Sequence, residues 1–90
     1  MKKVIFLDRD GTIIKDKSYM YNIDDLDFFS RSIEGLLLLK ELGFTLIIVS
    51  NQSGVGRKYF TKQMFHRFEQ CFTEHLNNHG IIINHNFYCF

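Results

Sequence analysis

The chain has no apolar run near the ~20 residues a membrane-spanning helix needs. Behind Lys2 and Lys3 the apolar segment is already interrupted at Asp8, too short for a secretory signal peptide, so cytoplasm is the expected compartment. Charge of one sign is scarce too. The formal net charge of +1 sets up no field that would imply a nucleic acid or an anionic membrane as partner. Cys71 and Cys89 are the only cysteines, and without a secretory signal they read as reduced thiols or metal ligands rather than a disulfide. Proline is absent altogether, an absence that carries no reading of its own. No repeat, linker or low-complexity segment interrupts the chain. A hydrophobic content of 46% and an aromatic content of 16% are ample for a packed core and exclude wholesale disorder. At 90 residues that core belongs to one small domain, or to part of one.

The chain is organised around Val4-Ile5-Phe6-Leu7-Asp8-Arg9-Asp10-Gly11-Thr12. A continuous apolar run of this kind, extending over residues 4–8, fits a strand buried on both faces of a parallel sheet. Asp8 and Asp10 then lie at its C-terminal end, the rim where open α/β sheets bind ligands. In extended backbone they project to one side and Arg9 to the other. Side-by-side carboxylates require positive charge between them, and a hard cation such as Mg²⁺ supplies it. Gly11 permits a sharp turn there. Asp-Gly is also a common turn dipeptide, so the string alone reads equally as a plain strand and turn.

Thr12 to about Phe29 shows no sustained period and is expected as a loop or short hairpin flap over the strand ends, a length more often functional than idle. Ser30 or Ser32 is the expected cap of a helix in which Ile33, Leu36, Leu37 and Lys40 follow helical spacing and which Gly43 ends. Thr45–Val49 reads as a second buried strand, followed by a polar, glycine-bearing loop from Ser50 to Arg57. Thr61 caps a long helix with Met64, Phe65, Phe68, Phe72 and Leu76 on one stripe and Gly80 at its end. Ile81-Ile82-Ile83 begins a third strand continuing through Phe87 and Tyr88 to Cys89. The alternation predicts two right-handed βαβ units: an α/β, Rossmann-like parallel sheet of about three strands with two main flanking helices.

Ser50, Asn51 and Gln52 bring a hydroxyl and amides to the second strand's end, where they and glycine-freed backbone N–H groups can hold a phosphoryl oxygen. Ser, Asn and Gly also favour ordinary turns. Asp-x-Asp-Gly-Thr after one apolar strand, with a serine ending the next, resembles the first two motifs of the haloacid-dehalogenase-like (HAD) phosphohydrolases. The fuller string Ser50-Asn51-Gln52-Ser53-Gly54-Val55-Gly56-Arg57, followed by Tyr59-Phe60-Thr61, is similar to one branch of them. That branch contains the D-glycero-D-manno-heptose 1,7-bisphosphate 7-phosphatases and the histidinol-phosphate phosphatases, and Ser-Gly-Val-Gly-Arg favours the heptose side.

The resemblance implies Asp8 as nucleophile, Asp10 as general acid/base and Ser50 steadying the transferred phosphoryl group, with Mg²⁺ at Asp8 and Asp10. It also implies substrate contacts at Asp8, Arg9 and Asp10, and along Asp16, Lys17, Ser18 and Tyr19. A further set falls on Ser50, Asn51, Gln52 and Ser53, with Arg57 able to meet an anion bidentately. Lys17 and Ser18 read equally as a solvated loop, and Arg57 as a surface arginine. Phe87-Tyr88-Cys89 matches the point where the family begins a Cys-x-His…Cys-x-Cys loop for structural Zn²⁺. Cys89 would be its first ligand, in a site this chain leaves incomplete. His66, His75, His79 and His85 show no metal-like spacing.

The resemblance covers the whole chain but only the first half of the family's domain. Residues 1–90 are thus expected as the N-terminal part of a single HAD-like phosphatase domain, truncated before its motif III lysine and motif IV acidic residues. The first strand, central in the full fold, would keep one edge without a partner. The expected activity is Mg²⁺-dependent hydrolysis of a sugar bisphosphate through an aspartyl-phosphate, by a protein that is monomeric when complete. A small phosphorylated substrate is its expected partner, with no nucleic acid and no membrane. Histidinol-phosphate phosphatase-like activity is one alternative. An inactive remnant that binds phosphate or metal without turnover is the other.

Overall fold

Three parallel strands form the sheet in the computed structural model, which describes residues 3–90. They are β1 (Lys3–Leu7), β2 (Phe44–Asn51) and β3 (His85–Cys89), in the order β1-β2-β3. Lys3 to Leu7 pair with Phe44 to Ile48, and Ile47 to Asn51 with His85 to Cys89. Helix α1 (Ser32–Glu41) connects β1 to β2. A short α2 (Ser53–Gly56) and the long α3 (Lys62–Asn78) connect β2 to β3. The predicted α/β, Rossmann-like order of elements is therefore the one observed.

The core lies between the sheet and its helices. Leu46 and Ile48 of β2 meet Leu36 of α1 and Phe68, Phe72 and Leu76 of α3, with Ile5 and Leu7 of β1 packed against them. Thr61 caps α3 as expected, its Oγ1 accepting from Met64 N at 3.1 Å. Gly43 and Gly80 follow α1 and α3 at φ +87° and +76°, the left-handed geometry that ends helices. The segment between β1 and α1 is fastened down rather than loose. Ile13, Ile14 and Met20 are buried, Ile14 bridges Phe28 in antiparallel fashion, and Lys15 N donates to Asp27 O at 2.8 Å.

Several expectations need correcting. The first strand spans 3–7 rather than 4–8, so Asp8 lies just beyond it. It is not buried on both faces, because the helices cover one side of the sheet and leave Val4 and Phe6 exposed on the other. Neither Ser30 nor Ser32 caps α1. Arg31 holds that position with no side-chain cap bond, while Ser32 Oγ donates to Ile13 O at 2.6 Å and ties the flap to the helix. Met64 falls off the buried stripe of α3 and is exposed, whereas Phe65, Phe68, Phe72 and Leu76 are fully buried.

The third strand begins at His85 and not at Ile81. Ile81 instead folds back over the end of α3, its N–H donating to Leu76 O at 3.0 Å. Asn84 then replaces a strand residue. Its Oδ1 accepts from Leu46 N at 3.0 Å and its own N–H donates to Leu46 O at 2.9 Å. The polar loop after Ser50 is also shorter than expected, since β2 runs on to Asn51 and α2 follows at Ser53. Among the described residues no helix is long and apolar enough to cross a membrane.

Candidate active site

Leu7 pairs with Ile48, so the chain leaves β1 at Asp8 while β2 still continues to Asn51 beside it. The backbone then turns sharply. The N–H groups of Ile13 and Ile14 both reach Arg9 O, at 2.9 and 3.1 Å, and Gly11 N donates to Ile14 O at 2.7 Å. Gly11 adopts φ +84° in this turn, which a residue with a Cβ would resist.

Arg9 follows Ile5 and Leu7 on the side of the chain that faces the helices, and its side chain enters the protein. Arg9 is 0% exposed. Its guanidinium carbon lies 5.2 Å from the Phe68 ring centroid, with the rings of Phe65, Phe72 and Tyr88 at 5.7, 5.8 and 5.9 Å. The negative ring faces offset part of the cost of burying the charge. Most of the offset comes from Asp10, which Arg9 holds bidentately: Nε to Oδ1 at 2.7 Å and Nη2 to Oδ2 at 3.3 Å. Nη1 is buried with no hydrogen-bond partner among the described residues.

Gln52 completes the arrangement. Its Nε2 donates to Asp10 Oδ2 at 3.0 Å and to Ser50 Oγ at 2.9 Å. Ser50 and Gln52 are both buried. Gln52 N also donates to Cys89 O at 2.6 Å, anchoring the end of β3 to the same rim. Deeper in, the Tyr88 hydroxyl donates to Glu69 Oε1 at 3.0 Å. Burial pushes this phenol well above its ordinary value; the Glu69 carboxylate adds to the rise and Arg9 opposes it.

A polar cleft of about 310 Å³ opens over this network, lined by Asp10, Asn51, Gln52, Ser53 and Gly54 from the strand ends and by Asp16, Ser18 and Tyr19 from the flap. The flap is held in shape locally. Asp16 Oδ1 accepts from Ser18 N at 2.9 Å, and Ser18 and Tyr19 take left-handed backbone at φ +61° and +49°. Tyr19 stands edge-on to Tyr59 at 4.7 Å, and its hydroxyl accepts from Arg57 Nη1 at 3.3 Å. Gly54 allows this closeness, because a Cβ there would overlap Phe60 and lie 2.9 Å from the Tyr19 ring.

The structure thus brings Asp10, Asp16, Ser18, Tyr19, Asn51, Gln52 and Ser53 to one cleft, and leaves other candidates outside its lining. Asp8 is exposed beside it and makes no ion pair among the described residues. Ser50 lies behind Gln52. Lys17 pairs with Asp27 at 3.6 Å, and Arg57 is turned to Tyr19. Arg9, expected among the substrate contacts, has its side chain sealed in the core.

Asp10 was expected to share Mg²⁺ with Asp8 through its carboxylate. Oδ2 accepts from both Arg9 and Gln52 and Oδ1 from Arg9 alone, so a buried guanidinium supplies positive charge from beneath while Oδ1 keeps one lone pair. Asp8 remains an oxygen donor of the kind Mg²⁺ accepts. Cys89 is an exposed free thiol, and no group of three or more metal-ligating side chains occurs among the described residues. Sequence reasoning also missed Gly54 as the seat of Tyr19, and the Tyr88–Glu69 pair. The tyrosines at 19, 59 and 88 were visible, but not their partners.

A family model described as polynucleotide kinase 3 phosphatase matches residues 3–89. A probable D-glycero-D-manno-heptose-1,7-bisphosphate 7-phosphatase of Thermoplasma volcanium is 42% identical over 87 residues, covering 97% of this chain and 60% of the relative. The D-glycero-beta-D-manno-heptose-1,7-bisphosphate 7-phosphatase of Pasteurella multocida is 42% identical over 89 residues, covering 99% of this chain and 48% of that protein. Among solved structures, a D,D-heptose 1.7-bisphosphate phosphatase from B. bronchiseptica, complexed with magnesium and phosphate, superposes with a TM-score of 0.88 at 25% identity. That match covers 97% of this chain and 49% of the other. The chain therefore spans about half the length of the relatives it matches, from 45% to 60% among the curated ones.

Proposed function

Because this chain belongs to the polynucleotide kinase 3 phosphatase family, we propose that it carries the attacking and proton-transferring residues of a phosphomonoesterase acting on a sugar bisphosphate. The observation that carries this reading is the pairing of an exposed Asp8 with an Asp10 whose carboxylate is fixed by Arg9 and Gln52. One carboxylate is free to attack and the next is held in one orientation, which is the division of labour a two-step phosphoryl transfer requires.

In the first step an Asp8 oxygen attacks phosphorus and the phosphorus–oxygen bond to the sugar breaks. The leaving oxygen takes a proton from Asp10. In the second step Asp10 takes a proton from water, which attacks the aspartyl-phosphate and releases phosphate and free Asp8. Gln52 and Ser50 keep Asp10 in place, while Asn51, Ser53 and the flap residues Asp16, Ser18 and Tyr19 face the bound ester. Mg²⁺, held by Asp8 together with substrate oxygens, would lower the charge repulsion between carboxylate and phosphate.

The heptose bisphosphate names of the relatives support the sugar bisphosphate as substrate, and the net charge of +1 favours a small anion over the polyanion in the family's description. Turnover by the chain alone should be slow. The resemblance places a further lysine and acidic ligands in a part of the domain that these residues do not match, and losing one preorganised donor costs about 10²–10³ in rate.

The test is phosphate release from D-glycero-D-manno-heptose 1,7-bisphosphate in millimolar Mg²⁺, with Asp8→Asn as the blank. Release above the blank that chelation abolishes supports the reading. Release equal to the blank removes it.

A further inference from the structure

A sugar bisphosphate brings two anionic groups to the cleft, and the lining holds no cation for the second. Its charged side chains are Asp10 and Asp16, both negative, with Asp8 exposed beside them. Arg9 is sealed beneath and committed to Asp10. The cleft of about 310 Å³ is also at the small end for ligand sites, so a bisphosphate with one phosphate against Asp8 carries the other out to the rim. That second phosphate has a charge of about −1.5 to −2 near neutral pH. Only a cation at the rim can meet it.

Two cations adjoin the lining. Lys17, between Asp16 and Ser18, leans away to Asp27 at 3.6 Å, and Asp27 is not a lining residue. Arg57 leans toward the cleft. Its Nη1 donates to the Tyr19 hydroxyl at 3.3 Å, and Tyr19 is itself part of the lining. The Arg57 N–H donates to Ser53 O at 2.8 Å, which ties its backbone to the same rim. Arg57 is exposed and makes no ion pair among the described residues. Its guanidinium is therefore parked on a neutral hydroxyl by one long bond. A phosphate offers the same fork two charge-assisted bonds, each roughly twice as strong as a neutral one. The exchange favours the phosphate.

The same bond helps to hold the flap. Ser18 and Tyr19 take left-handed backbone at φ +61° and +49°, which side chains resist and which persists where surrounding contacts impose it. For Tyr19 those contacts are the Tyr59 ring, the close approach of Gly54 and the bond from Arg57. Drawing Arg57 away removes one of them and leaves the flap freer to settle on the sugar. We propose that Arg57 is the specificity-determining residue that selects a bisphosphate over a monophosphate. Tyr19 is its keeper, holding the guanidinium at the rim until a second phosphate displaces the hydroxyl. This rests on the sugar bisphosphate reading of the site and adds the residue that recognises the second phosphate.

The test is calorimetric binding of D-glycero-D-manno-heptose 1,7-bisphosphate and of the heptose 7-phosphate in millimolar Mg²⁺, with every variant made in the Asp8→Asn chain so that neither ester is consumed. That chain should bind the bisphosphate at least about tenfold more tightly, as expected for hydrogen bonds from a charged group. Arg57→Gln should bring the two affinities to within about twofold of each other, since a neutral amide lacks both charge and fork. Arg57→Lys should restore part of the difference through charge alone. Tyr19→Phe keeps its ring on Gly54 and Tyr59 but frees Arg57, and should bind the bisphosphate about two- to tenfold more tightly. Equal affinity for the two esters before Arg57 is changed, an undiminished preference in Arg57→Gln, a preference lost in Lys17→Gln instead, or bisphosphate binding no tighter in Tyr19→Phe would each overturn the proposal. Binding of neither ester would instead remove the site reading on which it rests.

Discussion

Arg9 grips the carboxylate of its own neighbour, with Nε 2.7 Å from Asp10 Oδ1. Adjacent residues rarely meet this way in a strand, where they face opposite sides. Here the strand has ended at Leu7 and the turn at Gly11 brings the two side chains together. The result is a carboxylate neutralised from beneath, next to one, Asp8, that is not.

Breaking this pair should be costly. Arg9→Met leaves Asp10 with Gln52 alone and is expected to lower unfolding free energy by about 3 kcal/mol, the low end for a buried pair because Asp10 is partly exposed. Arg9→Lys should recover little, since an ammonium cannot make the bidentate contact or lie flat among the rings. Urea denaturation of both variants is the measurement. An Arg9→Lys protein within about 0.5 kcal/mol of the parent would show that the charge alone matters.

Asp10→Asn should keep binding of the phosphate ester while slowing both chemical steps, by about 10²–10⁴ for loss of a proton-transfer group. Single-turnover and steady-state kinetics separate the two effects. Lost binding with unchanged chemistry in the bound state would make Asp10 a positioning group only.

Gly54→Ala should open the cleft. The new methyl group meets Phe60 and Tyr19, so the flap must move or the ring must turn. The expected cost is about 1–3 kcal/mol of stability, as for overpacking elsewhere. Loss of the Tyr19–Tyr59 contact should accompany it, visible as changed tyrosine ring shifts in NMR spectra. An unshifted spectrum with parent stability would show that the loop absorbs the methyl group elsewhere.

Tyr88 makes stability fall in alkali. Its phenol is raised above the ordinary value of 10.0, first by burial and then by Glu69, so the folded chain holds this proton more tightly than the unfolded chain does. That contribution is fully present below about pH 10 and is lost as pH rises beyond it, because the unfolded state then releases the proton first. The urea midpoint of the parent should drop between about pH 9 and about pH 11 more steeply than that of Tyr88→Phe. Equal slopes would place the alkaline loss elsewhere.

Some features were legible in the chain itself because they depend on neighbours a few residues apart. Apolar periodicity located both main helices and the first two strands, and Thr61, Gly43 and Gly80 marked helix ends through cap and left-handed backbone chemistry. Asp8, Asp10 and the Ser50–Gln52 stretch were placed on one rim by the parallel order of elements alone. Where local reading failed, a distant partner had intervened. Ile81 to Ile83 looked like strand, yet Asn84 reaching Leu46 set the start of β3.

What the amino-acid sequence determined, then, was the order of elements and the identity of the rim, because both follow from short-range pattern and turn chemistry. Strand alternation set Arg9 on the side opposite Asp8, but tertiary structure alone decided that it is buried there, because Phe65, Phe68 and Phe72, more than fifty residues away along the chain, form a box for its charge. It alone decided that Ser50 sits behind Gln52 and that Tyr19 rests on Gly54. It also decided which face of β1 is covered. A strand's composition states that its side chains can be buried, but only the direction in which successive helices cross the sheet says on which side burial occurs.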